Sequence, residues 1–80
     1  MKYRWSATDR LGLEKYSIEA SSYNELEEKV LAFLRNPLTI DIRSLDPDSV
    51  RNEIIHDSEI ITMRHQLKEF TKGFIKEGEE

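Results

Sequence analysis

Three consecutive residues, His56-Asp57-Ser58, hold every side chain of a nucleophilic triad, so chemistry is sought there first. A triad needs the imidazole held between the hydroxyl and the acid, and sequence neighbours rarely meet in that geometry. Asp and Ser also open turns and cap helices, and the two are read in that role. His56 and His65 stand nine apart, not at the step of four that places two imidazoles on one helical face for a metal. No metal centre is expected from them. The pairs Glu27-Glu28 and Glu79-Glu80 lack apolar surroundings that would raise a carboxyl pKa for acid catalysis, and are read as a solvated face and a tail. Gly12, Gly73 and Gly78 are isolated, so no phosphate-cradling loop is present. The absence of cysteine removes thiolate nucleophiles, zinc–thiolate sites and disulfides, and points to a reducing cytoplasm. The chain is therefore expected to be no enzyme and to carry no cofactor.

Two surfaces could bind a partner. The first is an apolar seam of Ile60, Met63, Leu67, Phe70 and Phe74, spaced 3-4-3-4, with Arg64 and Lys68 on the same helix. Ile61 and Ile75 lie off the seam, which leaves that helix with more apolar surface than a small core needs. The second is the outer face of a sheet bearing Lys2, Arg4, Lys15 and Arg43, opposed by Glu19 and Asp41. Single-strand nucleic-acid binders use such faces, but with exposed aromatics on which bases stack. Here Tyr3, Trp5 and Tyr16 fall on the opposite parity, toward the core.

The elements that must hold these residues follow from periodicity. Residues 2–8 alternate, with Tyr3, Trp5 and Ala7 on one side. After Asp9-Arg10-Leu11-Gly12 the alternation returns in Tyr16, Ile18 and Ala20, which reads as a β-hairpin over about 2–20. Ser22-Tyr23-Asn24-Glu25 fits a capping box. Tyr23, Leu26, Val30, Phe33 and Leu34 then share one helical face up to the stop at Asn36-Pro37. Residues 38–43 alternate again and predict a third strand beside the first, in sheet order 3-1-2. Asp46-Pro47 predicts a helix start, with Leu45 and Val50 stapling it. The apolar stripe changes side at Asp57-Ser58, so two helices, about 47–56 and 59–76, are expected rather than one rod.

The resulting fold class is α+β: a three-stranded antiparallel or mixed sheet (β-β-α-β) packed on a helix and followed by one or two C-terminal helices. Eighty residues make one small domain, with a ββαβ unit over 2–43, a helical segment over 46–76 and a frayed tail at 77–80. In the order of its elements, residues 3–43 resemble the small bacteriophage inhibitor of bacterial RNA polymerase. The matching pieces are Tyr3-Arg4-Trp5-Ser6-Ala7-Thr8, Ser22-Tyr23-Asn24-Glu25 and Ile40-Asp41-Ile42-Arg43. The likeness covers about half the chain, and no function or residue is carried over from it.

The net charge of −4 lies wholly in residues 41–80, where ten acids face six bases. An acidic half favours basic partners or plain solubility and lowers the odds of nucleic-acid binding. The longest apolar run, 30–34, falls far short of the ~18 residues of a membrane span, so no membrane partner is expected. The leading expectation is a small protein-binding module, an inhibitor or adaptor of phage or mobile-element type, that occludes a larger host protein through the seam. Self-association through that C-terminal helix is compatible with it. The alternative is a nucleic-acid-associated regulator using the basic sheet face.

Overall fold

The computed structural model describes residues 1–36, 38, 40–57, 59–62 and 66–77. Strand β1 (Lys2–Thr8) turns through Asp9–Gly12 into β2 (Lys15–Ala20), as the alternation predicts. Asp9 closes the turn by accepting from the Leu13 amide at 2.8 Å, and Gly12 takes φ +72, where a Cβ would be strained. Helix α1 (Tyr23–Leu34) begins at Ser22, whose hydroxyl accepts from the Glu25 amide at 3.2 Å. The Glu25 carboxylate reaches back to the Ser21 amide at 3.4 Å and pairs with Lys29 at 3.1 Å.

The Lys29 hydrogen bond, then the Ser21 amide and the Lys29 charge, hold the Glu25 carboxyl below its ordinary pKa against a small opposing desolvation. Its contribution is present above the ordinary carboxylate range and is lost as pH falls through the depressed value. Glu25→Gln is therefore expected to shallow the acid limb of a stability–pH curve. Ser22→Ala should cost about 1 kcal/mol at neutral pH, read from the urea midpoint.

Beyond α1 the predicted elements change identity. No strand forms over 38–43 among the described residues. Ile42–Ser44 is a turn of 3-10 helix, because the Asp41 side chain accepts from the Arg43 amide (3.0 Å) and the Ser44 hydroxyl donates to the Asp41 carbonyl (2.6 Å). Such local bonds satisfy backbone groups that a ladder would have used. Of the apolar residues in that alternation, Ile40 is buried in the core and Ile42 packs half-buried against it, whereas Leu38 is exposed. Residues 3–43 therefore hold the hairpin and the helix of the resemblance, and the next strand comes only at Arg51–His56.

Asp46 and Pro47 do start a helical turn, but it ends after Pro47–Ser49. Ser49 donates to the Asp46 carbonyl (2.6 Å), and its oxygen accepts the Thr8 amide (2.8 Å), which ties this turn to the end of β1. The chain then extends as β3 (Arg51–His56), pairs with the free side of β1, and returns as β4 (Glu59–Thr62). The helices expected over 47–56 and 59–76 are thus a β-hairpin followed by a shorter helix, α2 (Gln66–Glu77). The stripe changes side where β3 passes into β4, at Asp57; Ser58 lies outside the described residues. Asp57 takes φ 54, a left-handed conformation that Asp tolerates better than most residues. His56 and Glu59 face each other across the turn.

The sheet has order β2-β1-β3-β4 and is antiparallel throughout. The expected centrality of β1 holds, but its second neighbour is 51–56, and a fourth strand lies outside that. Trp5, Ala7 and Ala20 cluster with Leu26, Val30 and Leu34 of α1 and with Leu67 and Ile75 of α2, so both helices cover the same sheet face. The other face has no described helix over it.

Candidate binding face

Register decides what the uncovered face presents. Directly paired residues of an antiparallel ladder share a face. Tyr3, Trp5 and Ala7, with partners Ala20, Ile18 and Tyr16, point to the helices. Lys2, Arg4, Ser6 and Thr8 therefore point away from them, with Glu19, Ser17 and Lys15 on β2 and Ile55, Glu53 and Arg51 on β3. Ile60 on β4 continues that face opposite Ile55.

Four basic side chains (Lys2, Arg4, Lys15 and Arg51) meet two acidic ones there, Glu19 and Glu53. Arg4 is locked to the directly opposed Glu53 through Nε and Nη2, at 3.3 and 3.1 Å, both side chains being largely shielded. Lys2 and Glu19 form a looser, exposed pair at 3.9 Å. The Arg4–Glu53 pair itself lines an open depression of about 380 Å³, together with Ser6, Thr8, Lys15 and Arg51. Small hydroxyl side chains between long charged ones account for its shape.

Of the sheet-face residues expected from the sequence, Lys2, Arg4 and Lys15 lie together on this surface. Arg43 does not: it sits in the 3-10 turn, pairs with Asp41 at 3.4 Å, and its carbonyl accepts from Arg10 Nε at 2.9 Å. Arg51, Glu53 and Ile55 were missed because 47–56 reads as a helix. No period-two signal marks them, since Arg51, Asn52 and Glu53 are polar in succession and Ile54 and Ile55 are adjacent.

The apolar seam does not form one surface. Ile60 is on a strand and faces the open side, whereas Leu67 is 2% exposed within the core. Phe70 is 47% exposed and rests its ring 6.2 Å from that of half-buried Phe74. Lys68 is half-buried on α2, while Met63 and Arg64 lie outside the described residues. The physical reason is the strand at 59–62, which takes Ile60 off the helical repeat on which the spacing depended.

A smaller groove of about 160 Å³ lies between the helices, lined by Tyr23, Glu27, Leu67 and Phe70. Burial pushes the Tyr23 phenol up and the Glu27 charge adds to this, while a hydrogen bond with the Leu67 backbone opposes both. Tyr23 thereby joins the start of α1 to the start of α2.

His56 Nε2 stands 3.6 Å from Asp57 Oδ2 at the β3–β4 turn; Ser58 and His65 lie outside the described residues. Among the described residues no three His, Cys, Asp or Glu side chains gather as metal ligands, and no helix is long and apolar enough to cross a membrane.

The chain is thus an α+β protein: an antiparallel four-stranded sheet with two helices on one face and a charged, open second face. Searches of protein-family models, curated proteins and solved structures found no match to it.

Proposed function

We propose that this protein is a small non-enzymatic binding module, of the inhibitor or adaptor kind, that docks on an acidic surface of a larger protein. The open sheet face is its contact surface, in place of the C-terminal seam. The observation that carries this reading is the charge of that face. It holds twice as many bases as acids on a chain whose net charge is −4, so attraction to an acidic partner is local and oriented.

A nucleic-acid partner would be drawn by the same charges. Two features favour protein: Trp5 is fully buried on the opposite face, and the aliphatic pair Ile55–Ile60 extends the charged surface where a base-stacking platform would need aromatics.

The test is affinity capture from bacterial lysate, with and without nuclease, using three baits: wild type, Ile60→Asp and Phe70→Ala. One protein retained in 1:1 ratio by wild type and Phe70→Ala, and lost with Ile60→Asp, is the expected result. Loss with Phe70→Ala alone would return the contact to α2. A capture that vanishes with nuclease, or none by wild type, would overturn the reading.

A further inference from the structure

We propose that the depression over Ser6 is an anion subsite that takes a carboxylate from an acidic segment of the partner. The inference rests on the docking reading above and names the chemistry at its centre.

Ser6 is only 7% exposed, yet its hydroxyl is in no hydrogen bond with a described residue and lines the depression. A polar group so deeply set in a folded surface ordinarily has a partner. The neighbouring hydroxyl is already engaged: Ser49 donates to the Asp46 carbonyl and accepts the Thr8 amide. The cations divide in the same way. Arg4 is held by Glu53, which leaves Lys15 and Arg51 with no acid partner among the described residues.

Register brings these three groups around one point. Arg51 stands directly opposite Ser6 on β3, and Lys15 stands opposite Thr8 on β2. The two cations therefore flank β1 from either side, roughly 12 Å apart at the backbone from two strand spacings and a two-residue offset along the strand. Long side chains close that gap over a single small anion. Arg51 supplies a planar fork of donors, Lys15 a mobile point charge and Ser6 a hydroxyl donor, a set that matches the two oxygens of a carboxylate. Ile55 and Ile60 lie on the same face roughly 13 Å farther along β3, where they suit an aliphatic residue farther along an acidic segment, which favours a protein segment over a phosphate backbone.

The test uses the ¹⁵N-labelled full chain at low salt, titrated with a peptide of alternating Glu and Leu, with its Gln-for-Glu counterpart, and with oligothymidylate. The acidic peptide is expected to give saturable shifts confined to Ser6, Thr8, Lys15 and Arg51, fading with added salt, while the Gln peptide gives none. Lys15→Ala/Arg51→Ala should weaken binding at least tenfold with an unchanged melting midpoint, and Ser6→Ala severalfold. Shifts spread over the surface lysines, equal affinity for the double variant, no shift at millimolar peptide, or tighter binding of oligothymidylate at these residues would each overturn the subsite. Partner capture separates this failure from that of the docking reading. If Ile60→Asp abolishes capture and Lys15→Ala/Arg51→Ala does not, the face stands and the subsite falls; if neither affects capture, the face itself falls.

Discussion

Alanine at Leu67 is expected to cost about 2–5 kcal/mol, whereas alanine at Phe70, one helical turn away, should cost under about 1 kcal/mol. Leu67 lies inside the cluster that joins α2 to Trp5 and α1, so truncation opens a cavity that the sheet and α1 cannot both close. Phe70 faces largely outward and loses little besides its contact with Phe74. Urea denaturation of both purified variants reads the difference directly. Equal costs would mean that α2 is rotated from the position described here. The expected split also bears on function, because a binding defect in Leu67→Ala would then report unfolding and not a lost contact.

Asn52→Val is expected to act in the opposite direction and stabilise the protein by about 1–3 kcal/mol. Asn52 lies on β3 directly opposite Trp5, pointing to the helices, and is fully buried. Its amide nitrogen and oxygen, like the Trp5 indole N–H, have no hydrogen-bond partner among the described residues. A buried amide left unpaired loses its hydration without replacement, and valine removes both orphaned atoms while suiting a strand. For a domain of this size the gain corresponds to roughly 4–8 °C in Tm per kcal/mol. Asn52→Asp should do the reverse, since an isolated carboxylate would be buried beside the indole. A lower Tm for Asn52→Val would show that the amide is satisfied in solution, as by a bridging water.

The β1–β2 hairpin and α1 were legible because their signals are local. Asp9 and Gly12 specify the turn, Ser22 and Glu25 specify the helix start, and the apolar periods of two and 3.6 agree with those ends. Parity alone also assigned Trp5 to the core and Lys2, Arg4 and Lys15 to the open face.

From residue 38 onward local signals were present but led to other structures. Asp46-Pro47 is a sound helix start that serves one 3-10 turn, because Ser49 finds Thr8 and the chain beyond it finds an unpaired side of β1. Ile54 and Ile55 fit either a helix or a strand by spacing, and pairing with β1 settled which. The seam from Ile60 to Phe74 drew on a 3-4 repeat that spans a strand and a helix, so a regular spacing linked residues that do not share a face.

Composition and local pattern by themselves determined the class, the first hairpin, the first helix and the core side of β1, since each depends on interactions within a few residues. Tertiary structure alone decided that β3 and β4 exist, that Arg51 and Glu53 join Arg4 on one face, and that Arg43 does not. β3 meets β1 from the far end of the chain, Ser6 against Arg51 and Lys2 against Ile55, and the hydrogen bonds and burial gained on that meeting outweigh the weak local preference for helix.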